Sequence, residues 1–257
     1  MKRVEIFGVA GIGEVGAGDS IGKLIVDACS RNRFVLESDD VLVIAQKIVS
    51  KSEGRLLRLD GVLVSDYARE LGRELDKNPA LVQVILSESQ RIVRKGGRAM
   101  IVETHHGFVC ANAGVDCSNV GLGKAALLPK DADASARKIR AQIQDLVGAS
   151  PAIIISDSFG RAWRLGTVDV AVGIAGLKPI KDERGTTDRY GYELRAAVTA
   201  IADEIAAAAE LVMRKKEALP VVVVRGCEIE KEEGSVKDLL RPIEEDLFRY
   251  NQEHGNP

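Results

Sequence analysis

The chain has 257 residues, of which 46% are hydrophobic and 29% charged, with a formal net charge of -2. That is long enough to bury a core without disulfide or metal staples, and the near-neutral balance offers no general attraction to nucleic acid or an anionic membrane. Cys29, Cys110, Cys117 and Cys227 form no C-x-x-C pair, so neither a zinc ribbon nor a thioredoxin-like site is readable. No signal-peptide pattern opens the chain and no apolar run approaches bilayer length, so a cytoplasmic protein with reduced thiols is expected.

The opening strand, VEIFGV, leads into GIGEVG at 11–16, which formally has the G-x-G-x-x-G spacing of dinucleotide-binding turns. In a Rossmann turn the glycines run straight into a helix, whereas here Ala17, Gly18 and the capping pair Asp19 and Ser20 intervene before a helix over 21–29. A Walker loop fails as well, because Gly22 and Lys23 precede Leu24, not a Ser or Thr. An NAD(P)-dependent oxidoreductase using this loop is the alternative reading.

Residues 41–49 form an apolar strand interrupted by Gln46 and Lys47, followed by a polar stretch with Lys51. A lysine in an apolar run must emerge or be paired, so Lys47 and Lys51 either contact phosphate or snorkel to water. Residues 64–77 and 79–95 carry helical periodicity, with Leu81, Ile85, Ser89, Ile92 and Val93 near one face of the second. Strand character resumes at 99–102, and HHGFVCANAGVDCSN (105–119) brings Asp116 and Asn119 to a strand end. The adjacent His105 and His106 invite a zinc reading, but neighbours in an extended chain face opposite sides and cannot easily share one ion.

An amphipathic helix covers 131–147. After it, Ile153, Ile154 and Ile155 form a buried strand that is expected to end at Ser156, Asp157 and Ser158, placing a carboxylate where α/β ligands bind. Arg161, Trp163 and Arg164 follow, then a second strand over 168–172; an arginine pair beside hard oxygen donors suits a phosphate-bearing substrate, or is a plain surface pair. The charged loop KDERGTTDRYGY is either solvated or a lid or dimer contact, and Leu194, Val198, Ile201, Ile205, Ala208 and Val212 recur at helical steps. A buried strand at 221–224 precedes a polar tail. Strands and helices mix without strict alternation, so the expected fold is α+β, a mixed sheet with packing helices and not a doubly wound Rossmann sheet. One catalytic domain, as one body or two intertwined lobes, is expected over 1–250, with a polar tail at 251–257.

With these residues in hand, the chain resembles the coenzyme F420-0:L-glutamate ligase, or gamma-glutamyl ligase, family over nearly its full length. The resemblance rests on IAQKIVSKSEGR, ANAGVDCSN, SDSFGRAWRLGTVDVAVG, DRYGYEL with ADEIAAAAELVM, and VVVVRG followed by KDLLRP. It implies a GTP-dependent ligase that forms an amide between L-glutamate and a carboxylate of a deazaflavin precursor through an acyl phosphate, in a homodimer. Mg2+ or Mn2+ is implied, with a monovalent cation such as K+ as a further candidate. By position, the metal ligands fall on Asp116, Asp157 and Ser158. Nucleotide contacts fall on Ile12, Gly13, Glu14, Val15, Gln46, Lys47, Lys51 and Asn119, and on the loop from Met213 through Arg214, Lys215, Lys216 and Glu217. Asp116, Asp157 and Lys51 are the catalytic candidates. Two departures stand out: Arg214 and Lys215 replace the Gly-Glu that usually follows Met213, which leaves a non-catalytic nucleotide- or deazaflavin-binding relative as a further alternative, and Gly13 replaces a usual proline.

Overall fold

The computed structural model describes residues 2–97, 99–214 and 219–246. In chain order the elements are β1 (Glu5–Gly8), α1 (Ile21–Arg31), β2 (Val41–Ala45), α2 (Gln46–Ser52), β3 (Leu56–Arg58), α3 (Asp66–Glu74) and α4 (Pro79–Ser87). Then come β4 (Ser89–Gly96), β5 (Ala99–Thr104), β6 (Val109–Ala111), β7 (Lys124–Ala126), α5 (Ala132–Val147), β8 (Ala152–Arg161) and β9 (Arg164–Ala175). The last are β10 (Lys181–Asp182), β11 (Val198–Thr199), α6 (Ile201–Met213) and β12 (Val221–Arg225).

The main sheet has the order β1-β12-β2-β8-β9, parallel between β2 and β8 and antiparallel elsewhere. This mixed sheet with packed helices is the expected α+β class. β2 is paired on both sides and covered on both faces, so Val41, Leu42, Val43 and Ile44 are all fully buried and its sequence is continuously apolar instead of alternating. α5 and α6 both pack on β9, and α1 packs on α5. Gly173 in β9 is required by that packing, since a Cβ there would lie 2.5 Å from the Ala132 Cβ at the start of α5. Asp133 ties the same place together: its Oδ1 accepts from the Ile174 N–H at 2.8 Å and its Oδ2 from the Ser235 hydroxyl at 2.6 Å. A second apolar cluster joins α3, α4 and β5 through Leu71, Leu75, Ile85 and Met100.

Four element boundaries differ from the sequence expectation. The apolar run over 41–49 is not one strand: the pairing of β2 stops at Ala45, opposite Ser156, and the next residues, with no further strand partner, wind into α2. The helical pattern over 79–95 breaks at Ser87, and β4 pairs with β5, where Arg91 faces Glu103 in register and bonds it at 2.6 Å; a cross-strand partner distant in sequence overrides the local period. The helix expected to include Leu194 and Val198 begins at Ile201, because Val198 pairs with Asp182 in a small two-stranded sheet. Finally, β8 does not end at Ser156. It runs on to Arg161 as a hairpin with β9, so Asp157 lies within a strand whose other neighbour, β2, has already stopped.

Asp40, at 0% exposure, is held by Arg225, which donates from Nε to Oδ1 and from Nη2 to Oδ2, each at 2.7 Å. Removing one partner of such a pair strands a buried charge. Arg225→Met is therefore expected to destabilise the fold by about 3–5 kcal/mol, read as a lowered midpoint in urea unfolding.

Candidate active site

A cavity of about 610 Å³ opens where β2 turns into α2. Because β2 stops at Ala45, the edge of β8 is bare beyond Ser156, and Ser156, Asp157 and Ser158 line the opening. Successive side chains of a strand leave opposite faces, so a cavity wrapped around this edge can reach Asp157 from one face and the two serines from the other.

α2 supplies Gln46, Lys47 and Lys51 to the cavity. The helix places Lys47 and Lys51 one turn apart, on one side of α2, which a continuous strand would also have done but with twice the spread. Gln46 is 2% exposed and its Oε1 accepts the Ser50 hydroxyl at 2.8 Å. Lys47 Nζ donates to Asp116 Oδ2 at 2.7 Å, to the Ser118 carbonyl at 2.8 Å and to Ser118 Oγ at 2.9 Å. Lys51, buried except for 7% of its surface, donates to Glu14 Oε1 at 2.5 Å. Glu14 belongs to the first loop, whose Ile12, Gly13, Glu14 and Val15 form another wall. That loop is pinned to α2 by the Gly18 N–H on the Ser52 carbonyl at 2.8 Å.

Asp116 and Asn119 form the third wall. Asp116 is anchored by a bridge to Ala126 and by the Ser118 N–H on its Oδ1 at 2.7 Å, and Asn119 has a left-handed φ of 56°. The end of α6 contributes Met213 and Arg214. Lys215, Lys216 and Glu217 lie outside the described residues, and the exchange at Lys215 with them. Every other predicted site residue lines this one cavity. Arg161 and Arg164 do not; they sit at the end of the hairpin beside Trp163, which is 80% exposed.

Three polar lining side chains were not predicted, Ser156, Asp169 and Glu210, nor were the apolar Ala45, Ile48, Leu219 and Pro220. Asp169 could have been found as the one charge in the run VDVAV, where strand alternation puts it on the side of Ala171, away from Val168 and Val170. Glu210 sits one helical turn before Met213 on α6, a spacing visible only once the helix has been placed. His105 and His106 have separate duties, their Nε2 atoms lying 3.1 Å from the Ser87 carbonyl and 2.9 Å from the Pro129 carbonyl. Among the described residues no group of three or more His, Cys, Asp or Glu is arranged to hold a metal ion.

The carboxylates differ in charge state. Burial pushes the Asp157 carboxyl up to about 7; Asp169 and Asp116 raise it further, against the Ser158 N–H and Lys47. Burial also acts to raise Asp116, but the Lys47 ammonium and the Ser118 N–H outweigh it and leave its carboxyl below the usual range. Burial first, and then Asp157, pushes the neighbouring Cys110 thiol up to about 12, so it is an inert core group. Hard oxygen donors on a buried carboxyl suit a divalent cation, which would compensate for lost solvation on binding.

The fold and the site together define an α+β protein in which a cavity of about 610 Å³ sets two lysines and three aspartates around space for an anionic, oxygen-rich ligand. A family profile described as F420-0:Gamma-glutamyl ligase matches residues 11–226, and the chain belongs to this family. The coenzyme F420:L-glutamate ligase of Methanothermobacter thermautotrophicus is 47% identical over 249 residues, covering 96% of this chain and 99% of that one. The proteins of the same name from Methanocaldococcus jannaschii and Archaeoglobus fulgidus are each 42% identical, over 96% of this chain and 98% and 97% of theirs.

Because the Asp157 carboxyl is raised from 3.8 to about 7 in the fold, its contribution to stability is present below about pH 4 and is lost as pH rises through 7. Asp157→Asn is thus expected to stabilise the metal-free protein at pH 8, by on the order of a few kcal/mol, with the gain shrinking toward pH 5. Thermal melts in the presence of a chelator at the two pH values check this.

Proposed function

We propose that the chain is a GTP-dependent ligase that joins the amine of L-glutamate to the carboxylate of the deazaflavin coenzyme F420-0, as a homodimer. The observation that carries this reading is the convergence of all the described residues assigned to nucleotide and cation on one cavity, in a chain that matches proteins named coenzyme F420:L-glutamate ligase from end to end. No helix among the described residues is long and apolar enough to cross a membrane.

In this reading Lys47 and Lys51 receive the phosphates. Each ammonium is neutralised in the ligand-free cavity by a carboxylate, Asp116 and Glu14 respectively, and phosphate oxygens replace those partners on binding. Glu14 is mostly exposed, so its release into water costs little. Asp116, Asp157 and Ser158 would hold Mg2+ or Mn2+ at the open edge of β8, where one cavity wraps from the face of Asp157 to that of Ser158, and the cation when bound would neutralise charge on the phosphates. A carboxylate oxygen of the acceptor attacks the terminal phosphorus of GTP, and GDP leaves with the electrons of the broken bond. The glutamate amine then attacks the acyl carbon, loses a proton, and inorganic phosphate departs. The cavity needs no nucleophilic side chain for this sequence; its work is to position the reactants and offset charge.

The oxidoreductase alternative rests on GIGEVG, and the local structure does not favour it. Helix α1 starts at Ile21, with four residues between it and Gly16, is capped by Ser20, and directs its Gly22 N–H to Gln142 Oε1 at 2.9 Å. That first-turn amide is therefore not open to a pyrophosphate.

Incubation with GTP, Mn2+, L-glutamate and F420-0 is expected to give GDP, phosphate and a product heavier by one or more glutamyl units. With the F420-0 carboxylate labelled by oxygen-18, one label should appear in the phosphate. Asp157→Asn should lower turnover at least a hundredfold, comparable to loss of one main charge-stabilising group. Absence of GDP and product from the unaltered protein would contradict the reading.

A further inference from the structure

The two serines that flank Asp157 share a partner outside the predicted site. Asp169 of β9 stands opposite Ser158 of β8 in the hairpin register and is 4% exposed. Ser158 Oγ donates to Asp169 Oδ1 at 2.6 Å, and Ser156 Oγ donates to Asp169 Oδ2 at 3.0 Å. Both carboxylate oxygens are thereby engaged, which fixes the rotation of the group about its own axis.

The consequence lies in the hydroxyl of Ser158. A serine hydroxyl has one proton and two lone pairs. With the proton committed to Asp169, Ser158 has only lone pairs left to turn toward the cavity that it lines. A hydrogen bond to a carboxylate also increases the electron density on the donor oxygen, as partners behind metal ligands do elsewhere. A carboxylate buried beside Ala171 on its own strand face is expensive to keep unless it is bonded.

We propose that Asp169 is a positioning residue: it accepts the hydrogen bond of the Ser158 hydroxyl so that the hydroxyl oxygen turns its lone pairs to the cavity as a ligand for the divalent cation, while Ser156 holds Asp169 in the required orientation. This rests on the cation site of the proposed function and extends it to a residue and an interaction that site did not include.

The test is Mn2+ binding to the purified full chain, by isothermal titration and by the electron paramagnetic resonance signal of free Mn2+. Binding is compared for the unaltered protein, Asp169→Asn, Ser158→Ala, Ser156→Ala and the Asp169→Asn/Ser158→Ala pair. Asparagine keeps the shape of the side chain but exchanges one acceptor oxygen for an N–H donor, so at least one serine must turn its proton away. Asp169→Asn and Ser158→Ala are each expected to weaken Mn2+ binding about tenfold or more. The double variant should be no weaker than Ser158→Ala alone, because Asp169 acts through that hydroxyl, and Ser156→Ala should cost less than either.

Unchanged Mn2+ affinity in Asp169→Asn overturns the proposal, as does full additivity in the double variant, which would make Asp169 an independent contributor. If Asp169→Asn does not fold, Ser158→Ala decides by itself: it removes one partly buried hydroxyl, and an unchanged affinity there also overturns the proposal. The two levels of the account separate cleanly. An unaltered protein that binds no Mn2+ removes the cation site and this proposal together, whereas one that binds Mn2+ as tightly as its Asp169→Asn variant removes only the role of Asp169.

Discussion

The site depends on two neighbouring strands of unequal length. β2 and β8 run parallel from Val41 and Ala152 and stay in register until Ala45 meets Ser156. There β2 gives way to α2, while β8 continues for five residues paired only with β9. A helix and a bare strand edge diverging from one point leave a cleft lined by backbone and polar side chains, at the carboxyl end of a parallel pair. Doubly wound sheets place ligands in the same way at their switch points, and this fold reaches the arrangement with one parallel pair. β2 and the apolar half of β8 anchor the cleft in the core, and α2 and the polar half of β8 supply its chemistry.

The charges in that cleft include two opposed pairs and further carboxyl groups beside them. Lys47 answers Asp116, and Lys51 answers Glu14. Among the described residues no ammonium is bonded to Asp157, and its carboxyl is raised chiefly by burial and further by Asp169 and Asp116, whereas that of Asp116 is lowered. Such an arrangement is costly in an empty protein and favourable once cations and phosphates enter together, which is how a binding site stores part of its selectivity.

Much of the fold class and most of the site were legible in the sequence, for different reasons. Continuous apolar runs such as VLVIA and AIII mark doubly covered strands, and the mixture of strands and helices without alternation excludes a simple doubly wound sheet. The site residues were legible through ordered segments that resemble one family, since no single motif among them names a chemistry. The boundaries were less legible because they are decided by partners far along the chain. Residues 89–96 keep a helical period but pair with β5, Val198 joins β10 instead of α6, and the polar residues after Ile155 extend β8 because β9 is there to receive them. Asp169 was missed for the same reason. Its meaning comes from the serines across the hairpin, which are more than ten residues away in sequence.

The central claim is that the cleft between α2 and the bare edge of β8 receives a nucleotide and its cation. The most direct measurement is a crystal structure of the chain with GTP and Mn2+, using anomalous scattering to locate manganese. The account predicts a manganese peak at coordinating distance from a carboxylate oxygen of Asp157, with phosphates bonded to Lys47 and Lys51 and Glu14 displaced from Lys51. Nucleotide bound elsewhere on the protein, with the Lys51–Glu14 pair intact and no manganese at Asp157, would contradict it.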